Sequence, residues 1–325
     1  MNRVYSLGII GADARTRALA GRLSPSAPFH AGPFAIRRWA GSPAGGDGEE
    51  AAAQAMAASV SLASSWRDAL DADAVFVAGP AAGHAQAVVA ALSAGRPVLC
   101  PLPLGVSASE LAEVEAARRG SGAVLLSPSD LSASTAGRRA LESVRAGELG
   151  QLHAVFLASR TGPAAGDVLD DLGWEALDFL AACVAAPCTR VYATGGSLFG
   201  APGDALLANL RFAGDTIVTL ELSRGLPPAL AAAGPEVEIE LAGVEAALRV
   251  EPYRRTVAVY RGAGAERRHW PARPVVAMLE DLQAAMEGTA GPADGDVIAR
   301  QRAALAMHTA LRASLSGRDV VPIAV

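Results

Sequence analysis

Lysine is absent from all 325 residues, so every one of the 28 basic side chains is an arginine. A guanidinium stays protonated near neutrality, and any mechanism that needs an ε-amine as acid, base or Schiff-base nucleophile is closed to this chain. Cysteine is scarce as well. Cys100, Cys183 and Cys188 are too few and too oddly spaced for a disulfide framework, and without a CxxC pair they offer no zinc site. Among the five histidines (His30, His84, His153, His269 and His308), no two stand at metal-ligand spacing, so no metal is expected. No uncharged apolar run is long enough to span a bilayer, and MNRVYSLGII reads as a first strand rather than a signal peptide. A cytoplasmic protein with no membrane partner is the expectation. The formal charge is −5, and the pairs Arg37-Arg38, Arg118-Arg119, Arg138-Arg139, Arg254-Arg255 and Arg267-Arg268 are scattered rather than striped. Nucleic acid is therefore not an expected partner.

What is present is apolar surface: 51% of residues are hydrophobic and 19% charged, enough for two cores in a chain of this length. Residues 1–126 alternate strand and helix patterns. Strands are expected at Val4–Ile10, Phe34–Ala40, Val60–Leu62, Asp73–Ala78, Pro97–Cys100 and Ala123–Leu126. Helices are expected at Ala14–Leu23, from the Gly/Pro loop Ser42–Gly48 to about Ala58, at His84–Ala94 and at Ser107–Arg119. The last opens on a Ser cap with Glu110 placed for a capping box. This alternation predicts an α/β fold, a Rossmann-like doubly wound parallel sheet with its ligand at the carboxyl ends of the strands.

Residues 127–325 read differently. Strand patterns at His153–Ser159, Val191–Ala193, Ala205–Arg211, Thr216–Ser223, Val237–Leu241, Ala246–Val250 and Thr256–Tyr260 follow one another with short connections such as Ala213-Gly214-Asp215. With helices at Trp174–Cys183, Val275–Glu287 and Val297–Ser314, they predict an α+β domain with a large open antiparallel sheet. The last helix is a candidate to return to the first domain.

The first strand–helix turn reads Gly8-Ile9-Ile10-Gly11-Ala12-Asp13-Ala14-Arg15-Thr16. A dinucleotide fingerprint needs G-x-G-x-x-G here, so that phosphate can approach backbone and helix can pack on strand. Gly11 fills the first place; Asp13 and Thr16 fill the second and third. A carboxylate at Asp13 repels a diphosphate by on the order of a few kcal/mol; it also reads as a simple helix cap. The end of the second strand, Arg37-Arg38-Trp39-Ala40-Gly41-Ser42, holds no Asp or Glu for ribose hydroxyls. Arg37 or Arg38 beside Ser42 suits a 2′-phosphate and so NADP, and both also read as ordinary edge arginines.

Taken with DADAVFVAGPAAGHAQAVVAALSAGRPVLCPLPLG (71–105), RAGELGQLHAV (145–155), DDLGWEALDFL (170–180), LRFAGDTIVTLELSRG (210–225) and Ser316-Gly317-Arg318, the turn resembles the glucose–fructose oxidoreductase / inositol dehydrogenase (Gfo/Idh/MocA) family nearly end to end. That resemblance implies NAD(P), reversible hydride transfer at a carbinol of a sugar, cyclitol or related small molecule, and a homodimer or homotetramer packed through the large sheet. It places Gly11, Ala12, Asp13, Ala14, Arg15, Pro80, His84 and Pro103 at the cofactor. His84 also reads as helix N-terminal packing. The family's Glu-Lys-Pro is Pro101-Leu102-Pro103 here, so Leu102 stands where the lysine works. Its Asp-x-x-x-His is Asp171 to Glu175, which leaves Asp171 and replaces the histidine; Asp178 matches a further aspartate. Asp171 and Glu175 are expected as a paired-carboxylate acid and base, with His153 as another substitute; they also read as an N-cap and a solvated residue. Two functions stay open: a divergent NAD(P)-dependent oxidoreductase, and a catalytically inactive pseudoenzyme kept for ligand sensing or assembly.

Overall fold

Glycine and alanine at strand tips, with Val, Ile, Leu and Phe along the strands, build a five-stranded parallel sheet in the order β2-β1-β3-β4-β5. Its strands are β1 (Tyr5–Ile10), β2 (Phe34–Ala40), β3 (Ala74–Val77), β4 (Val98–Leu99) and β5 (Leu125–Leu126). The structure is a computed structural model and describes residues 3–23, 33–232, 234–254, 256–262, 264–269, 274–289 and 296–323. His30 and Arg255 lie outside the described residues. The chain forms two compact units, Met1–Pro128 with Pro274–Gln301, and Ser129–Arg273 with Arg302–Val325. The division falls inside the last long helix, Val297–Gly317.

In the first unit Leu7, Ile9, Ile10, Val75, Val77 and Val98 are buried on both faces of the sheet, as a parallel sheet flanked by helices requires. Helices Ala14–Leu23, Gly48–Ala57, His84–Ser93 and Ala108–Ser121 connect the strands. Ser107 caps the last of these by accepting from Glu110 N at 3.2 Å. The expected capping box does not close, because the Glu110 carboxylate takes Val106 N at 2.6 Å instead of the Ser107 amide. Val60–Leu62 is not a strand either. Ser59 turns left-handed (φ 56°) and Val60 N returns to Ala55 O, leaving only Leu62 to bridge Trp39.

The second unit is a nine-stranded sheet in the order β13-β12-β11-β10-β6-β9-β8-β7-β14. Its strands are β6 (Leu152–Arg160), β7 (Cys188–Gly196), β8 (Ala205–Phe212), β9 (Ile217–Ser223), β10 (Glu236–Gly243), β11 (Ala247–Glu251), β12 (Thr256–Arg261), β13 (Gly264–His269) and β14 (Val321–Pro322). Every pairing is antiparallel except β6 with β9. The β8–β9 reversal uses left-handed Gly214 and Asp215, φ 80° and 70°. One face of the sheet carries Leu157, Leu210, Val218, Leu220, Ile239 and Val250 into a core. The helices Thr135–Arg145 and Gly173–Cys183 and the last helix, through Met307 and Leu311, complete that core. The other face presents Tyr192, Leu207, Ile217 and Tyr260 to solvent. It also carries the cross-strand pair Arg160–Glu221, with contacts of 2.7 and 2.5 Å.

Phe179 is fully buried among these helices. Phe179→Ala is expected to destabilise the protein by about 3–5 kcal/mol, lowering the urea midpoint with little change in slope. A loss below about 1 kcal/mol would contradict the packing described.

Candidate active site

At the tip of β1 the backbone of Gly11 runs so close to β3 that an added Cβ would collide with the Ala78 carbonyl. Its φ of 92° favours glycine independently. The strand tips are laced together: Gly11 N donates to Ala40 O and Ala78 N to Ile10 O, both at 2.8 Å, while the Trp39 indole donates to Gly11 O at 3.0 Å. Helix Ala14–Leu23 starts directly after this turn.

Asp13 caps that helix. One carboxylate oxygen accepts from Arg15 N at 2.8 Å and Thr16 N at 2.9 Å. Asp13 N in turn donates to the Thr16 hydroxyl at 2.8 Å, and Gln54 Nε2 donates to Asp13 O at 3.0 Å. Asp47, which sequence reasoning missed, holds the neighbouring amide: its Oδ2 accepts from Ala12 N and its Oδ1 from Ser42 N, each at 2.9 Å. Four amides of the turn (Ala12, Asp13, Arg15 and Thr16) are thus already bonded to side chains. Arg37 is exposed and directs Nη1 at the Asp71 carbonyl.

The other predicted cofactor-side residues belong to the same unit. Pro80 precedes the short turn Ala81–Gly83, after which His84 begins its helix. His84 is buried, with Nδ1 2.7 Å from Pro103 O and Nε2 3.1 Å from Gly79 O. A neutral ring can donate to only one of these carbonyls. Burial holds the imidazole below its usual pKa, against the pull of both carbonyls. Leu102 is buried at 5% exposure, and the Leu102–Pro103 peptide is cis. Nearby Cys100 is fully buried, which pushes its thiol far up and removes it as a nucleophile.

The second unit contains Asp171 and Glu175. The helix Val168–Asp171 ends and Gly173–Cys183 begins at Leu172, so the two carboxylates stand on successive short helices. Asp171 is half-exposed and ion-paired with the buried guanidinium of Arg224, which also donates to Ala165 O at 3.2 Å. Glu175 accepts from Leu131 N at 3.4 Å. Asp178 is buried, and His153 is exposed on β6. A cavity of about 450 Å³ lies beside Arg224, walled by Pro163, Ala165, Phe199 and Asp204.

A third group was not legible in the sequence because its members come from distant segments. His308 stacks on Trp174 (ring centroids 4.2 Å apart, planes at 7°) and meets Asp170 Oδ1 at 3.0 Å. Arg312 bridges Asp167 at 2.7 Å and the same Asp170 oxygen at 2.6 Å. Burial lowers the His308 pKa, and Asp170 only partly offsets that shift. Among the described residues no group of three His, Cys, Asp or Glu side chains could hold a metal. No described helix is long and apolar enough to cross a membrane.

Comparison with known proteins brings three findings. Residues 28–127 match GFO_IDH_MocA, an oxidoreductase family with an NAD-binding Rossmann fold. No curated protein matches the sequence. Solved structures share the fold over the whole length. The scyllo-inositol dehydrogenase of Lactobacillus casei has a TM-score of 0.80 at 18% identity, covering 99% of each chain. GenD2 of gentamicin A biosynthesis, solved with NAD, has 0.79 at 20%, covering 100% of this chain and 98% of that one. Levoglucosan dehydrogenase, solved with NADH and L-sorbose, has 0.79 at 17%, covering 99% and 100%.

A histidine whose pKa is lowered on folding binds fewer protons folded than unfolded, so stability is lost as pH falls below about 6.5. Thermal denaturation of wild-type protein from pH 7.5 to 5 should show Tm falling with acid. His308→Asn should fall less steeply, with the residual slope due in part to His84. Identical slopes would remove His308 from the account.

Proposed function

We propose that this protein, residues 28–127 of which match the GFO_IDH_MocA oxidoreductase family, is as a whole a member of that family and an NAD(P)-dependent oxidoreductase acting on a sugar, cyclitol or related carbinol, with an altered set of acid–base groups. The observation that carries the reading is the match of residues 28–127 to an NAD-binding Rossmann family. Its structural context supports it: the β1–helix turn lies where strand order reverses, between β1 and β3, at the carboxyl ends of a parallel sheet.

The turn suits a dinucleotide in shape. Gly11 lacks a Cβ where the chain is tightest, and a helix N-terminus follows with its partial positive charge. Gly11, Ala12, Asp13, Ala14 and Arg15 would hold the diphosphate, with the Asp13 carboxylate giving up its amides, and Pro80, His84 and Pro103 would border the cofactor. When bound, a nicotinamide supplies the hydride acceptor or donor. The chain's own share is proton transfer. Leu102 can neither give nor take a proton, so that task passes to Asp171 and Glu175. The Arg224 guanidinium holds Asp171 in place, and the Leu131 amide orients Glu175. Absence of such a group typically lowers rate by ~10²–10⁴.

The second reading is a pseudoenzyme retained for ligand sensing or assembly. It is favoured by one observation, that Asp13, Asp47 and Thr16 already satisfy the amides a diphosphate would use. Either protein is proposed to be cytoplasmic and a homodimer or homotetramer joined through the open sheet, whose outer face carries Tyr192, Leu207 and Ile217.

Titration with NADH and NADPH, followed by nicotinamide fluorescence and thermal shift, separates the two readings. Micromolar binding of either is expected; no response to millimolar amounts of both supports the pseudoenzyme. With myo- and scyllo-inositol as probe substrates, Asp171→Asn and Glu175→Gln should each lower kcat by ~10²-fold or more, with NADH binding unchanged. Unaltered turnover in either variant would remove that residue from the mechanism.

A further inference from the structure

Between β7 and β8 residues 197–204 form a loop knotted around one carboxylate. Asp204 is 1% exposed; its Oδ1 accepts from Leu198 N at 2.7 Å, and its Oδ2 from Phe199 N and Ala201 N, both at 2.8 Å. Left-handed Gly200 (φ 106°) and Gly203 (φ 68°) supply the bends. The end of the loop is anchored to its surroundings, Val168 N donating to Gly203 O and Arg224 N to Asp204 O, each at 2.9 Å. A loop held this way presents its side chains at fixed positions, and one of them is a benzene ring. Phe199 is 54% exposed, yet the tip of its ring is seated: a Cβ on Gly225 would lie 2.5 Å from Cζ and 2.8 Å from Cε1. Gly225 thus makes room for the ring.

That ring forms one wall of the cavity of about 450 Å³ beside Arg224, a size typical of small-molecule sites. Pro163, Ala164, Ala165 and Ala201 add carbon surface, and Asp204 and Arg224 are the charged members of the wall. Asp204 gives its carboxylate to the three loop amides. Arg224 gives Nε to Gly166 O at 3.4 Å, and Nη2 to Ala165 O and to the Asp171 carboxylate. Hydroxyls entering here would lose water and gain few partners, a cost that an apolar group does not meet. A flat aromatic group gains burial and, in addition, ring–ring contact with Phe199. The guanidinium that lines the cavity is the one that holds Asp171, so a carbinol at Asp171 has its neighbouring substituent beside Phe199.

We propose that this cavity is an aryl subsite: the protein acts on carbinols that carry an aromatic substituent, with aryl glycosides as the model class, in preference to free polyols, and Phe199 is the residue that selects them. The inference rests on the reading that Asp171 serves a carbinol substrate and goes beyond it by naming the substituent.

Phenyl and methyl β-glucoside differ only in the substituent. Their dissociation constants, measured by ligand-observed NMR without cofactor, are compared for wild type, Phe199→Ala, Phe199→Leu and Gly225→Ala, with thermal denaturation identifying the variants that remain folded. Wild type is expected to bind the phenyl glucoside tighter by about tenfold or more. Phe199→Ala removes the ring and Gly225→Ala pushes it off its seat, and each should cut that preference below about threefold. Phe199→Leu, which keeps carbon surface without a ring, should fall between. Equal binding of the two glucosides by wild type, no binding of the phenyl glucoside, or a preference that survives Phe199→Ala overturns the assignment. A changed oligomeric state in Phe199→Ala with the phenyl preference intact would assign the ring to a contact between copies, and overturns it too. Titration with NADH in parallel keeps the two readings apart. Absence of the phenyl preference in a protein that binds NADH tells against the aryl subsite alone. A phenyl preference without NADH binding overturns turnover at a carbinol, and this proposal with it, while leaving an aryl-binding cavity.

Discussion

The close approach of Gly11 to the Ala78 carbonyl is the constraint around which the first unit is arranged. Because no side chain fits there, β1 and β3 come together at their carboxyl ends, and the turn that follows is tight enough to aim a helix N-terminus over the sheet. The tips are then cross-linked by backbone, by the Trp39 indole and by the Asp47 carboxylate. Buried amides must find partners, and here side chains of the same chain provide them. The turn's amides are thus satisfied within the chain, and under the proposed reading a dinucleotide would compete with Asp13 for those of Arg15 and Thr16.

That competition frames the chemistry. Lysine is absent throughout, and Leu102, where the resemblance places a lysine, is buried. The second unit concentrates charge instead. Asp171 with Arg224, and Asp167 and Asp170 with Arg312 and His308, form neighbouring ion pairs around the start of helix Gly173–Cys183. Both guanidiniums are permanently charged, so they orient carboxylates without taking protons. The groups there that can exchange protons are carboxylates and an imidazole.

The fold class was legible because buried parallel strands such as Ala74–Val77 read as unbroken apolar runs and the sheet strands alternate. The Asp13 helix cap was legible for the same local reason, as a short acceptor immediately before a helix. Asp47 escaped notice because its position depends on two left-handed glycines, Gly45 and Gly46, that fold a loop back on the strand tips, which no spacing rule records. His308 and Arg224 escaped because they reach their partners from segments 138 and 53 residues away. The β6–β9 pairing is parallel within an otherwise antiparallel sheet, and strand alternation alone cannot distinguish the two directions. Helix Thr135–Arg145 was overlooked although Ser134 caps it through Gly137 N at 3.0 Å.

The most direct test of the central claim is a crystal structure of the protein soaked with NADH. The account predicts the diphosphate over Ala12–Arg15, with the Asp13 carboxylate rotated off the Arg15 and Thr16 amides and the Asp47 carboxylate off the Ala12 amide. A turn left as it is here, with Asp13 still capping the helix and the dinucleotide absent or bound elsewhere, would contradict it.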